Sequence, residues 1–278
     1  MQISKNFELG LYEKSMPPGL PWKERFCAAK KAGFDFIEIS VDETDEKLAR
    51  LQWNRAEKDA FLSQSRDCGF PVKSMCLSGH RRFPLGSSVK EIEERAVEIM
   101  KTAILFADDL GIRIIQLAGY DVYYNEKSNL ETKERFMDNL YQSTLLAAKY
   151  GVILGLETME NDFMNTVEKA MYYVSEINSP YLQVYPDVGN VNNATSNATF
   201  DLRRGKGHIA AVHLKETREG IFRDLKFGEG SVDFNTIVRV LKAQGVRLFT
   251  AEFWWNGKNG WENDLKNAHD YLTKCLMK

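Results

Sequence analysis

Four side chains that bind divalent metals well stand at the ends of four successive apolar stretches. Glu157 ends VILGLE, Asp187 follows LQVYP, His213 lies in IAAVHL, and Glu252 follows LFTA. Three carboxylates brought to one point would repel one another strongly unless a cation held them together. One imidazole nitrogen and several carboxylate oxygens suit Zn²⁺, Mn²⁺ or Mg²⁺, whereas ions that prefer thiolates are disfavoured. The spacing predicts one divalent metal ion with these four ligands.

Each of these residues also has an ordinary structural alternative. A single glutamate at a strand end is more often one half of an ion pair. His213 alone could be a hydrogen-bonded histidine of the core, although the chain has only four histidines. The recurrence of such residues at the equivalent point of four successive stretches favours the metal site.

The elements that must position these residues alternate regularly. The predicted strands are 8–14, 34–40, 71–79, 112–120, 152–159, 182–190, 209–217 and 248–255, and helical periodicity follows each one. Glycines such as Gly33 and Gly111 follow helical stretches and predict helix ends. Eight strand–helix units use the whole chain, so we expect an α/β fold with a single (β/α)₈ TIM barrel over residues 1–278. A doubly wound open sheet is the competing arrangement, but no glycine-rich turn follows the first strand to hold a dinucleotide.

The barrel gives the four predicted ligands a common location. Chemistry in such barrels lies at the C-terminal ends of the strands, where the loops form one mouth. Glu157, Asp187, His213 and Glu252 would all point into that mouth, and the second strand would add Glu38 at the same edge. The predicted fold and the predicted metal site therefore agree.

Composition excludes several other classes of protein. The 278 residues carry a formal net charge of −2, which leaves no basic surface for nucleic acid. No stretch approaches the ~18 apolar residues of a membrane span, and the N-terminal residues lack the apolar core of a signal peptide. The four cysteines have no metal-binding spacing and are interpreted as reduced thiols. We expect a cytoplasmic enzyme without nucleic-acid or membrane partners.

The residues also resemble a known family. The spacing of the four ligands is similar to the metal site of xylose-isomerase-like sugar isomerases and epimerases. Within that group the chain resembles the L-ribulose-5-phosphate 3-epimerases, also called L-xylulose-5-phosphate 3-epimerases, of L-ascorbate and related pentose catabolism. The resemblance covers nearly the whole chain and is carried by GLYEK (10–14), GFDFIEISVDETDEKLARLQW (33–53), SMCLSGHRRFPLGS (74–87), IRIIQLAGYDVYY (112–124), YPDVGN (185–190), HIAAVHLKET (208–217) and FGEGSVDF (227–234). Glu216 departs from the family's His-x-Lys-Asp pattern.

The resemblance implies metal-dependent epimerisation of a ketose phosphate at C3. A proton beside the carbonyl must leave and return on the opposite face, through a metal-stabilised cis-enediolate. Inversion needs one acid/base group on each side of C3. In this family two metal-binding glutamates do this work, which by position implies Glu157 and Glu252 as the catalytic residues. A homodimer is the expected assembly for this barrel type.

The phosphate of such a substrate needs donors away from the metal. The candidates are His80, Arg81, Arg82 and Lys215, because guanidinium groups bind phosphate oxygens through two parallel hydrogen bonds. A structural alternative is that Arg81 and Arg82 pair with carboxylates such as Glu13 or Glu38.

Other functions are the alternatives at this point. An aldose–ketose isomerase, or a 3-epimerase of another pentulose or hexulose phosphate, would use the same metal ligands. A sugar-phosphate binding protein without catalysis would have little need for paired glutamates. A metal-dependent endonuclease on the same barrel would need more histidines and a basic face for the DNA backbone.

Overall fold

The computed structural model describes residues 5–278, and its strands form one eight-stranded parallel sheet. The strands are β1 (Glu8–Tyr12), β2 (Phe36–Val41), β3 (Val72–Leu77), β4 (Ile114–Ala118), β5 (Ile153–Glu157), β6 (Leu182–Tyr185), β7 (Val212–Leu214) and β8 (Leu248–Ala251). The helices are α1 (Trp22–Ala32), α2 (Asp45–Ala49), α3 (Arg55–Cys68), α4 (Lys90–Leu110), α5 (Leu130–Tyr150), α6 (Val167–Ile177), α7 (Val188–Ala194), α8 (Ala198–Arg204), α9 (Phe234–Ala243) and α10 (Trp261–Leu276).

The sheet closes on itself. Its order is β6-β5-β4-β3-β2-β1-β8-β7, so that β1 pairs with both β2 and β8. Isolated parallel bridges join Val184 to Ile209 and Asp187 to His213, which connects β6 to β7. The backbone N–H of His213 donates to the carbonyl of Pro186 at 3.0 Å across the same seam. The predicted (β/α)₈ TIM barrel is confirmed, while the extent of a single domain over 1–278 stays a prediction.

Two loops contain an extra helix each, so the described residues form ten α-helices instead of the eight expected. The short α2 precedes α3 in the connection after β2, and α7 precedes α8 after β6. The sequence predicts a strand over 182–190, but residues 188–190 are the beginning of helix α7. It begins where it does because Pro186 has no N–H for a sheet ladder, and because the carboxylate of Asp187 accepts the backbone N–H of Asn190 at 2.9 Å.

Seven of the eight strands end earlier than predicted, whereas β2, predicted over 34–40, ends one residue later at Val41. The strand predicted over 8–14 ends at Tyr12, because Glu13 begins a 3₁₀ turn. The strand predicted over 209–217 is reduced to Val212–Leu214. At both points polar residues directly follow apolar ones along the chain, and two of these polar residues, Lys14 and Lys215, line a cavity at the barrel mouth.

Helix α4 illustrates how the outer layer packs. Its buried residues include Ala96, Ile99, Ala103, Ile104 and Ala107, at the spacing of three and four that places them on one face against the sheet. The helix ends at the predicted glycine at position 111, whose φ of 71° suits a residue without a side chain. No helix within residues 5–278 is long and apolar enough to cross a bilayer.

Neighbouring helices of the outer layer bring two cysteines together. Cys27 of α1 and Cys68 of α3 are free thiols whose Sγ atoms lie 2.6 Å apart. This proximity could not be predicted from the sequence, because 41 positions separate the two residues along the chain.

Candidate active site

The four predicted metal ligands converge at the mouth of the barrel. Glu157 is the last residue of β5, Asp187 caps α7, His213 is central in β7, and Glu252 directly follows β8. One ligand atom from each side chain lies within 4.8 Å of the others, and all four residues are buried. Folding therefore brings together one imidazole nitrogen and three carboxylate oxygens from four neighbouring strands.

His213 is held on both sides of its ring. Its Nδ1 lies 2.7 Å from Oε1 of Glu157 and 3.3 Å from Oε2 of Glu252. Its Nε2 lies 2.6 Å from Oε1 of Glu38. Burial alone would lower the pKa of this imidazole, but the surrounding carboxylates, Glu38 foremost, raise it well above its usual value. With a proton on Nε2 donated to Glu38, Nδ1 is directed at the other carboxylates.

Glu38 contacts the cluster through His213, although the sequence assigned it no role there. It is fully buried on β2. Its Oε2 accepts hydrogen bonds from the Ser74 hydroxyl at 2.6 Å and from the Tyr185 hydroxyl at 2.8 Å. A charged residue inside the apolar stretch FIEIS was the available signal, since a buried carboxylate needs partners.

The carboxylates of the cluster have oxygens that suit a cation. Oδ2 of Asp187 lies 2.7 Å from the Lys215 ammonium without accepting a well-aligned hydrogen bond, and Oε2 of Glu252 also accepts none within the described chain. Burial raises the pKa of Asp187 well above its ordinary value, and it raises that of Glu157. Buried carboxylate oxygens beside an imidazole nitrogen form the ligand set that Zn²⁺, Mn²⁺ or Mg²⁺ accepts.

A cavity of about 400 Å³ opens above the cluster. Glu157 and Glu252 form part of its wall, together with the predicted phosphate ligands Arg81 and Lys215. Arg223, from the connection between β7 and α9, also lines the cavity. The sequence did not single out this arginine, because it lies in a stretch without periodicity.

The other two predicted phosphate ligands lie elsewhere. His80 is buried behind the mouth, where its Nε2 lies 3.1 Å from the Ala96 carbonyl and burial lowers its pKa to about 4. Arg82 points away from the cavity and pairs with the exposed Asp45 at 2.8 Å. Neither residue lines the cavity above the cluster.

The structural alternative for the two arginines holds for Arg82, which pairs with the carboxylate of Asp45, but neither arginine pairs with the suggested Glu13 or Glu38. Glu38 is bonded to His213, as described above. Glu13 is fully buried, and three cations hold its pKa at about 2 against the opposing effect of burial. These cations are Arg50, Lys47 and Arg25. The carboxylates suggested as partners of Arg81 and Arg82 are thus occupied by other residues.

Comparison with known proteins agrees with this architecture. Residues 26–275 match the sequence model of the xylose isomerase-like TIM barrel family. The chain is 44% identical over 277 residues to the L-ribulose-5-phosphate 3-epimerase UlaE of Escherichia coli (strain SMS-3-5 / SECEC), covering 99% of this chain and 97% of that protein. It is 48% identical, with the same coverage, to the protein of that name from Shigella sonnei (strain Ss046).

Solved structures share the fold at low sequence identity. D-psicose 3-epimerase from Clostridium cellulolyticum H10, solved with D-tagatose, superposes with a TM-score of 0.83 at 15% identity, over 97% of this chain and 99% of that one. A structure of an L-ribulose 3-epimerase gives 0.79 at 20% identity, over 98% and 95% of the two chains. The family match and the high identity to full-length relatives are decisive: the chain is an epimerase and belongs to the xylose isomerase-like TIM barrel family.

Proposed function

We propose that this chain is a metal-dependent 3-epimerase that interconverts L-ribulose 5-phosphate and L-xylulose 5-phosphate. The observation that carries the proposal is the convergence of Glu157, Asp187, His213 and Glu252 to within 4.8 Å beneath an open cavity. It is supported by 44% identity, over 99% of the chain, to a protein that bears this activity in its name. The homodimer and the cytoplasmic location expected from the sequence stay predictions.

The four-residue cluster would hold one divalent ion, Zn²⁺, Mn²⁺ or Mg²⁺. Such an ion supplies Lewis acidity to the oxygens of a ketose, which makes the proton on the neighbouring carbon more acidic. Asp187 and His213 serve as ligands without transferring protons. The Lys215 ammonium lies 2.7 Å from Asp187 and 2.8 Å from the Asn190 side-chain oxygen, which fixes the carboxylate's orientation.

Glu157 and Glu252 are the two residues that would exchange the C3 proton. They come from β5 and β8, with β6 and β7 between them around the barrel, and both line the cavity. One carboxylate removes the proton from one face of C3 and the other returns a proton to the opposite face. The roles reverse in the reverse reaction. The amide of Gln116 donates to Oε2 of Glu157 and limits the rotation of that carboxylate.

Deuterium exchange tests both the reaction and the two roles. The metal-loaded protein is incubated with L-ribulose 5-phosphate in D₂O, and the products are followed by NMR. We expect L-xylulose 5-phosphate to form with deuterium at C3. Glu157→Gln and Glu252→Gln should each abolish epimerisation, because neither amide can complete the proton transfer.

Glu126→Gln provides the matched control. This carboxylate belongs to the loop between β4 and α5, where it bonds to Ser87 and Ser88, and it lies outside the cavity. The control should retain wild-type turnover. Formation of an aldose instead of the C3 epimer would overturn the proposed reaction, and full turnover by either cluster variant would overturn its assigned role.

A further inference from the structure

Two arginines reach the cavity without a carboxylate partner. Elsewhere at the mouth the cations are neutralised: Lys14 pairs with Asp42 at 2.5 Å and Lys215 with Asp187 at 2.7 Å. Arg81 and Arg223 form no ion pair with any carboxylate in residues 5–278, although both line the cavity. The cavity therefore has an anionic floor and two guanidinium groups that remain available to an anion.

Arg81 is oriented by aromatic rings. Its guanidinium lies over Tyr123 at 5.2 Å and over Tyr120 at 5.5 Å, and one terminal nitrogen donates to the Tyr120 hydroxyl at 3.2 Å. Its Nε is buried and has no hydrogen-bond partner in the described chain. A buried N–H of a charged group is costly to leave unbonded, which points to a ligand at this position.

Arg223, which is far from Arg81 along the chain, is oriented by the ring of Trp254. Its guanidinium lies over the Trp254 indole at 4.6 Å, a favourable cation–π distance. Burial and Glu160 raise the pKa of Tyr123, whereas Arg81 and Arg223 both counteract that rise. Both arginines are thus within electrostatic range of the same phenol, and their charges add at one end of the cavity.

The loop that carries Arg223 is anchored at its base. The carboxylate of Glu216 accepts the backbone N–H of Gly228 at 2.7 Å and that of Val232 at 3.2 Å. Gly230 passes so close that an added Cβ would lie 2.3 Å from an oxygen of Glu216. The departure from aspartate to glutamate at position 216 therefore retains a carboxylate that ties this loop to the end of β7.

We propose that Arg223, together with Arg81, binds the phosphate of the substrate and selects phosphorylated ketoses over unphosphorylated ones. The assignment rests on the proposed function for its substrate class. Two forked guanidinium groups match the oxygens of a phosphate monoester, while the metal-ligand cluster takes the ketose end. Binding at both ends also fixes which carbon lies between Glu157 and Glu252.

Kinetics with paired substrates test the assignment. Arg223→Ala, Arg223→Lys and Arg82→Ala are compared with L-xylulose 5-phosphate and with L-xylulose. Arg223→Ala should raise KM for the phosphate ester by about 10- to 100-fold, as expected for lost charge-assisted hydrogen bonds. Its kcat/KM for L-xylulose should stay within about twofold of wild type. Arg223→Lys keeps the positive charge but loses the two parallel guanidinium hydrogen bonds. Its KM for the phosphate ester should lie between those of wild type and Arg223→Ala.

Arg82→Ala is the matched control, since Arg82 neighbours Arg81 in sequence but lies outside the cavity. It should leave both substrates unaffected. An unchanged preference for the phosphate ester in Arg223→Ala, with a normal melting temperature, would overturn the assignment.

Calorimetric titration with inorganic phosphate separates this proposal from the proposed function. Wild type should bind phosphate, and Arg223→Ala should bind it about 10-fold or more weakly. Arginine-dependent phosphate binding in a protein that epimerises neither sugar would refute the proposed function and support the anion site. If wild type epimerises the phosphate ester but wild type and Arg223→Ala bind phosphate equally well, the proposed function is supported and the anion site is refuted.

Discussion

Replacement of Glu38 by glutamine should weaken metal binding although this residue is not one of the four ligands. Its carboxylate lies 2.6 Å from Nε2 of His213, on the side of the ring away from Glu157 and Glu252. A carboxylate in this position fixes the tautomer and the ring orientation and makes the ligating nitrogen more basic. The amide of glutamine can still accept the N–H, but it lacks the negative charge.

The expected loss of metal affinity in Glu38→Gln follows from the groups that the substitution keeps and the charge that it removes. The accepting oxygen stays, and the hydroxyls of Ser74 and Tyr185 can turn to suit the new NH₂ group. The lost charge reduces affinity by about 10-fold, or about 1.4 kcal/mol, at the low end for residues that support a metal ligand. Glu38→Ala also frees the imidazole ring, and its loss should approach about 100-fold.

Mn²⁺ binding gives the direct measurement. The protein is stripped with a chelator and titrated with Mn²⁺ alone, and the free ion is followed by electron paramagnetic resonance. Tyr185→Phe is the control, because it removes one hydrogen bond to Glu38 while the ring can keep its packing against His213, 4.8 Å away between centroids. We expect its affinity to fall by no more than about threefold. Equal affinities for wild type and a folded Glu38→Gln would refute this reasoning.

Two further predictions concern stability. Glu13→Gln leaves three buried cations around a neutral amide, so the free energy of unfolding in urea should fall by about 3–5 kcal/mol; a loss below about 1 kcal/mol would contradict this account. Burial lowers the pKa of His80 from 6.5 to about 4, so the folded protein resists a proton that the unfolded chain accepts. The contribution of neutral His80 to the free energy of unfolding is therefore fully present above pH 6.5, and about 3 kcal/mol of it is lost as the pH drops to 4. His80→Gln should lose this part of the pH dependence in urea titrations from pH 4 to 8, and an unchanged slope would assign the effect to other groups.

The sequence predicted the existence of all eight strands, because strands covered by helices on one side and packed inside the barrel on the other are apolar along their length. It did not predict where they end. In LQVYPDVGN the apolar pattern continues through Val188, yet the sheet stops at Tyr185 because Pro186 has no N–H and Asp187 caps a helix. Such local competition between sheet and cap is decided by hydrogen bonds that periodicity does not reveal.

The four-residue cluster was predictable because each member lies in or just after the last residues of its own apolar strand, and parallel strands end at one edge. The basic residues that line the cavity were only partly predictable. His80, Arg81 and Arg82 are adjacent in sequence, but they lie in or beside a 3₁₀ turn. With about three residues per turn, successive side chains point in three directions, and only the middle one reaches the cavity. Arg223 reaches the cavity from the loop between β7 and α9, and nothing in the neighbouring sequence marks it as a residue that lines the cavity.

The way in which the barrel closes would give the proposed metal ion a second, structural role. Within residues 5–278, β6 and β7 are the adjacent strands joined by isolated bridges instead of a continuous ladder. Asp187 stands on one side of that seam and His213 on the other. An ion bound by both side chains would crosslink β6 and β7 at this seam. Metal binding would then slow amide hydrogen exchange most at the β6–β7 seam. The same metal–ligand bonds would serve both catalysis and the stability of the closed barrel.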